Sequence, residues 1–544
     1  MGRAAGGSPC CGDELSLPVR ARLPGSPRSL RNLAALVLCG VLLASCAGTG
    51  PAGPPDHIKQ TASIAISEPR DLVPQQALDL AGIQVVSALF TPLMAYDPVT
   101  MEAKPAMAES IESSDQRIWR VRIQEGWTFH DGEPVTSQSF VDAWNFGARP
   151  SSRTSSYFSS IDGHEALEGG TERLRGLRVV DPLTFEVTLS RPFSQFPLML
   201  GFTAFAPLPT AAFADPATFR ESPIGNGPYR MEEPWQHNHS VTLRRYEGYR
   251  GEPGSVERLE FRIYADQPAA FRDVQAGNLD VATVPEELAL EARRSFGDRL
   301  LTATSSDFVY LGLPLYDARY ANPDLRQALS LAIDRRLIID TVRNGVGEPA
   351  TSLVPPVVPG SRSAACGACR HDPVRARELF TRSGGLDELV LWAGREGGSA
   401  PAVEAIANQL RQTLGIPKVE LKTMLNAEYF QLRDQRKMTG PFLSDWIMDY
   451  PSPQNYLEPL YSTGAAANRF EYRNPQVDDL LRRGDAARSL PEALDLYRRA
   501  EEIVAADLPV LPLWFDQSLY VHSERVENLV VDPRLVVRSL TLRE

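Results

Sequence analysis

Six cysteines, seven histidines and a lysine at only five positions (59, 104, 418, 422 and 437) are spread over 544 residues, and each shortage excludes something. So few cysteines rule out a disulfide-built scaffold, which a chain of this length does not need. Seven scattered histidines leave little for a metal centre. Catalytic signatures are missing as well: there is no GxSxG elbow, no HExxH, no GxxxxGK[ST], and no GxGxxG after a strand. Excess positive charge is also lacking. At −12 the chain has no basic stripe to offer phosphates, so nucleic acid is excluded as a main partner. Long low-complexity blocks are absent, and 43% hydrophobic with 23% charged residues describes a globular chain with material for more than one packed core.

What is present begins at the N-terminus. Arg20, Arg22, Arg28 and Arg31 precede the apolar run "LAALVLCGVLLASC", which stops at Cys46. That is the order of a secretory signal, and the run is short for a permanent span. Leu43-Ala44-Ser45-Cys46 resembles a bacterial lipobox, which implies cleavage before Cys46, a lipid on its sulfur and a protein anchored outside the cell membrane. Residues 1–45 are therefore read as a signal peptide and 46–55, rich in Gly and Pro, as a tether. Losing 1–45 removes five arginines and two acids, leaving a still more acidic chain. A second uncharged stretch, Pro192 to Ala214, is broken by Pro197, Pro207 and Pro209 and reads as a buried segment with turns. Outside the leader and the lipobox only Cys366 and Cys369 remain, as "CGAC". A disulfide is the simplest reading in an exported protein; zinc would need two more ligands with only His371 near, and a redox motif would need a helix start after a strand.

Strands and helices mix without a strict repeat. "IWRVRI" (118–123) and "TFEVTL" (184–189) alternate as half-buried strands. "NPDLRQALSLAID" starts a helix, with Asn322 as cap, Pro323 at the first position and Leu325, Leu329, Ala332 and Ile333 on one face. A second helix spans 492–507 and leads into "LPVLPLWF", a buried strand edged by prolines. His130-Asp131 could be half of a catalytic dyad, but Asp131-Gly132 is a turn signal directly after a strand pattern, and the structural role is favoured. His237 and His239 make too small a set for a metal.

Six segments then resemble, in order, the extracytoplasmic dipeptide- and oligopeptide-binding proteins of peptide ABC importers, solute-binding family 5. They are "LFTPLMAYDP" (89–98), "WRVRIQEGWTFHDGEPVTSQSFVDAW" (119–144), "PIGNGPYRM" (223–231), "QAGNLDVATVP" (275–285), "DLRQALSLAIDRRLI" (324–338) and "DWIMDYPSPQNYLEPLY" (445–461). The resemblance implies an α/β fold: a two-lobed, hinged periplasmic-binding-protein fold of type II, enlarged by an extra subdomain. Residues 56–96, 201–301 and 510–544 would form lobe I, 97–200 its extra subdomain and 302–509 lobe II. Gly225-Asn226-Gly227-Pro228-Tyr229 is kept as scaffold.

The same resemblance supplies a binding site. Trp446 and Asp449 match the family's W-x-x-D, whose aspartate pairs with the free ammonium of a bound peptide. A carboxylate among apolar residues is costly unless partnered, and the ligand would bring the partner. An importer that accepts many side chains must hold the main chain, by strand pairing on "ISEPRD" (66–71), which carries Glu68, and on the backbone of Asp445, Trp446 and Ile447. Tyr310 could pack on the ligand or belong to the core, and Arg433 and Arg436 could take the peptide carboxylate bidentately. Leu443 stands where some relatives carry an arginine, and Asp445 where glycine is frequent. The implied partners are short peptides, membrane permease subunits with a cytoplasmic ATPase, and the membrane itself through the lipid; no cofactor is expected, and the chain is expected to be a monomer. The alternatives are the same fold holding haem or another small solute, and a secreted hydrolase.

Overall fold

Burial alternates along Ile118–Ile123, with Trp119, Val121 and Ile123 facing in and their neighbours out, so a two-residue period builds the strand the sequence predicts. The computed structural model describes residues 60–395, 398–531 and 539–543. The leader, Cys46 and the tether lie outside them.

A first core gathers β1 (Thr61–Ile66), the pair β2 (Met94–Tyr96) and β3 (Ala103–Pro105), and a four-stranded antiparallel sheet. That sheet is made of β4 (Ala108–Glu112), β5 (Ile118–Ile123), β6 (Leu177–Asp181) and β7 (Thr184–Thr188), in the order β4-β5-β7-β6. The chain continues through β8 (Tyr229–Met231), β9 (Ser240–Arg245), β10 (Arg258–Ile263), β11 (Val281–Thr283) and β12 (Leu300–Gly312). It then adds β13 (Glu348–Pro349), β14 (Glu388–Gly394), β15 (Lys418–Met424), β16 (Phe442–Trp446) and β17 (Val510–His522). One large mixed sheet joins them as β15-β14-β16-β12-β17-β11-β1-β10-β9-β8, with β13 on β17.

The two 13-residue strands, β12 and β17, carry the chain across that sheet. They pair with each other antiparallel; β12 uses Phe308–Gly312 to pair β16, and β17 uses Tyr520–His522 to pair β11. Their apolar side chains are divided accordingly: Ala303 and Tyr520 pack in the first core, Phe308–Leu311 and Val510–Phe515 in a second core with residues 313–508. The register between them breaks between Thr304 and Phe308, so Ser305, Ser306 and Asp307 stand out of the ladder. Two side chains cross over: Met101 is buried in the second core and Tyr450 in the first.

The helices follow their caps. Asn322 accepts from the Asp324 amide and starts Pro323–Leu331; Ser489 accepts from Glu492 and starts Leu490–Asp507. The stretch 192–214 forms short helices with buried Phe196, Leu200 and Phe205, and no helix of the described residues is long and apolar enough to cross a membrane. The sulfurs of Cys366 and Cys369 lie at 2.01 Å.

His130 and the glycine turn prove to be one device. The ring Nδ1 accepts from the Gly225 amide at 3.1 Å and Nε2 meets the Gly227 carbonyl at 3.1 Å, while burial lowers the ring's pKa to about 4. The turn runs against Leu89, whose carbonyl oxygen would stand 1.9 Å from a Cβ at Gly225, so only glycine fits there.

Candidate ligand-binding site

At the end of β16 the chain passes between the two cores: Met448 is buried in the second, Tyr450 in the first, and Asp449 stands between them half-buried. Its carboxylate is held from both sides. Oδ1 accepts from the hydroxyl of Tyr157 at 2.8 Å, and Oδ2 from Nδ2 of Asn455 at 3.3 Å, while the Asp449 amide donates to Oδ1 of Asn455 at 2.9 Å. Asn455 thus closes a two-way clasp six residues on, at the start of the helix Gln454–Tyr461. Tyr157 is itself fixed against Phe202, ring centroids 4.9 Å apart, and burial, reinforced by the charge of Asp449, drives its pKa well above the usual phenol value.

Around Asp449 the other sequence-selected residues fall into two groups. Trp446 closes β16, half-buried opposite Phe308, with its Nε1 buried and without a hydrogen-bond partner among the described residues. Ile447 is exposed beside it, and Asp445 is exposed one residue earlier. Strand β14 touches β16 only at Trp392–Phe442, so beyond Phe442 that edge of β16 carries no described strand. Strand β1 likewise meets β11 only at Ile64–Val281. A recess opens there, lined by Ile66, Ser67, Gln84, Gln267, Thr283 and Tyr520, at the carboxyl end of a parallel strand, where sheets commonly offer their backbone to ligands.

The remaining residues lie apart from this. Glu68 already accepts from the His237 ring at 2.8 Å and from the Asn238 amide at 2.9 Å, and this contact, with Glu221 on the other ring nitrogen, raises the His237 pKa. His239 meets Ser240 instead of joining it, and among the described residues no group of three or more His, Cys, Asp or Glu could hold a metal ion. Tyr310 resolves toward the core: it is 1% exposed, stacked on Phe308 with centroids 5.2 Å apart, because its position on β12 faces inward, and it offers a ligand no surface. The two arginines diverge. Arg433 lies along Phe430 and reaches Ser444 of β16 at 3.3 Å, whereas Arg436 is paired with Glu471 at 3.1 Å.

Tyr157 and Asn455 gave no signal in sequence; one lies in a serine-rich turn 292 residues away from Asp449, the other in a helix start.

A family model described as "Bacterial extracellular solute-binding proteins, family 5 Middle" matches residues 102–468. The chain belongs to that family. As a family 5 protein it is a solute-binding protein and not an enzyme. It is similar to the dipeptide-binding protein DppE of Bacillus subtilis, 27% identical over 79% of this chain and 82% of the relative. It is also similar to the glutathione-binding protein GsiB of Shigella flexneri, 26% identical over 92% and 96%. Among solved structures, the unliganded open form of the periplasmic murein tripeptide binding protein MppA superposes with a TM-score of 0.79 at 22% identity, covering 89% of this chain and 97% of that one. The Haemophilus influenzae OppA complex with RPPGFSPFR gives 0.69 at 20% identity, covering 89% and 99%. These likenesses fix the two-lobed α/β architecture of this family 5 chain.

Proposed function

We propose that the protein captures short peptides between its lobes and hands them to a membrane permease driven by a cytoplasmic ATPase, from a lipid anchor at Cys46. The observation that carries the reading is Asp449, a carboxylate set between two cores and oriented by Tyr157 and Asn455 beside Trp446. A peptide ammonium entering there adds a charged partner where water is partly excluded, which strengthens the pair.

The edge of β16 beyond Phe442 and the edge of β1 beyond Ile64, which carry no described strand, support the second half of the reading. An extended peptide could lay its main chain along Asp445–Ile447 and Ile66–Ser67, drawing affinity from groups every peptide has. The relatives' names agree in kind, being for a dipeptide, glutathione, a murein tripeptide and a nonapeptide complex. Arg433, beside β16, is the better placed of the two arginines for a carboxylate. The Cys366–Cys369 disulfide suits an exported protein.

Native mass spectrometry of protein purified from cells tests this. Co-purified adducts with peptide masses, absent from Asp449→Ala, are the expected result. A haem adduct, or a solute retained equally by Asp449→Ala, would overturn it.

A further inference from the structure

The central strands bring three more carboxylates close together. Val309 of β12 lies opposite Asp445 of β16 and opposite Trp514 of β17, so those three side chains share a face. Asp516, two residues along β17, belongs to the same face, while Phe308, Phe515 and Trp446 form the row on the other, and Asp307, out of the ladder at the register break, lies close enough to feel the charges of Asp445 and Asp516. Arg343 identifies the near side of this face: its guanidinium lies 4.7 Å from the Trp514 ring and Nη2 reaches Asp516 at 2.7 Å.

The local charges do not balance. Arg343 already divides itself between Asp516 and Glu286, the latter at 2.8 Å. On the far side Arg433 and Arg469 share Asp434, at 3.3 and 2.6 Å, and the one positive charge they have to spare faces Asp445, which leaves the deficit at Asp307. One oxygen of Asp307 is buried with no hydrogen-bond partner among the described residues. Burial and then the charges of Asp445 and Asp516 hold the Asp307 pKa far above the carboxylate range, against the pull of Arg343. The cluster also adjoins the Asp449 site: the Tyr456 hydroxyl, bonded to the Ser306 carbonyl, lies within the fields of both Asp307 and Asp449.

We infer that this carboxylate cluster is built for a ligand with a second cationic group, a lysine or arginine side chain near the free N-terminus of a bound peptide, received by Asp307, Asp445 and Asp516. The inference rests on the peptide reading above and narrows its substrate class. An ammonium or guanidinium would supply the missing charge, and the buried oxygen of Asp307 would gain a partner as the lobes close. Asp445 is central because it flanks the open edge of β16, where a peptide backbone would lie.

Calorimetric titration near neutral pH tests it with Ala-Ala-Ala, Lys-Ala-Ala, Ala-Lys-Ala, Ala-Ala-Lys, Ala-Glu-Ala and the diamine putrescine. At least one lysine peptide should bind about tenfold or more tighter than Ala-Ala-Ala, as one added ion pair permits. In Asp516→Asn and in Asp307→Asn, isosteric changes, that advantage should fall to within about threefold while Ala-Ala-Ala is unchanged. Asp307→Asn should also melt no lower than the parent, which establishes that it folds. Lysine peptides no tighter than Ala-Ala-Ala, or an advantage that survives both substitutions, would overturn the inference and leave the peptide reading standing. Failure of every tripeptide to bind would instead overturn the peptide reading. Putrescine bound as tightly as the best lysine peptide would assign the site to free diamines and overturn the peptide source.

Discussion

The hydroxyl of Tyr157 and the carboxylate of Asp449, 292 residues apart in sequence, meet at 2.8 Å. The contact ties the segment that the sequence reads as an extra subdomain to the loop that would register a peptide N-terminus. It orients one oxygen, while Asn455 holds the other.

Replacing Asp449 by Ala should weaken tripeptide binding by about 30-fold or more, the usual penalty for truncating one side of a desolvated charge pair. N-acetylated tripeptides should bind the parent as poorly as free tripeptides bind Asp449→Ala, and the two losses should not add. Tyr157→Phe, which removes one orienting hydrogen bond, should weaken binding by about 3- to 10-fold. Titration calorimetry on the four combinations measures all of this, and equal affinity for acetylated and free peptides would refute the assignment.

Two buried groups should tilt stability in opposite directions over the same acidic range. Asp485 is 1% exposed, accepts from Tyr497 at 2.9 Å and Gln454 at 3.2 Å, and has its pKa pushed up to about 7, chiefly by burial. Because the folded value lies above the unfolded one, its contribution is full below about pH 4 and is lost as pH rises through about 7. His130, lowered to about 4, does the reverse: its contribution is present above about pH 6.5 and is lost as pH falls toward 4. Each is worth on the order of 3 kcal/mol. Thermal melts at stepped pH should show Asp485→Asn stabilised most near pH 8, and should show in that variant a steeper loss of stability on acidification than the parent has.

The Cys366–Cys369 pair closes a very short loop, so its removal should cost only about 2 kcal/mol. Alkylation of the unfolded protein should modify both cysteines only after reduction. Labelling without reductant would show the pair to be free thiols.

Arg335 is 3% exposed and among the described residues meets no carboxylate within hydrogen-bond reach; it donates instead to the carbonyls of Pro512, Ser330 and Ile333 and to the Ser330 hydroxyl. Burial lowers its pKa to about 9. It joins the helix Pro323–Leu331 to β17, so Arg335→Ala should strand several acceptors and cost about 3 kcal/mol or more in chemical denaturation.

Local chemistry was legible in the sequence. The period of Ile118–Ile123, the cap at Asn322 and the turn at Gly132 each follow from a few neighbouring residues, and each stands where it was read. Asp449 could be picked out because a carboxylate between Met448 and Tyr450 breaks an apolar pattern. Asp307, between Ser306 and Phe308 in "SSDFVYLGL", breaks a similar one and could have been found by the same rule. What could not be read was whatever depends on distant segments meeting: that Tyr157 reaches Asp449, that Glu68 is claimed by His237, and that Tyr310 faces inward because of how β12 is sandwiched between β16 and β17.

The break in register at Ser305–Asp307 lies on one of the two strands that carry the chain across the sheet. Two antiparallel ribbons flex far more readily in twist than in shear, and a three-residue slack is where that twist would concentrate. A charge captured at Asp307 would therefore be felt first by a strand whose two ends pack in different cores.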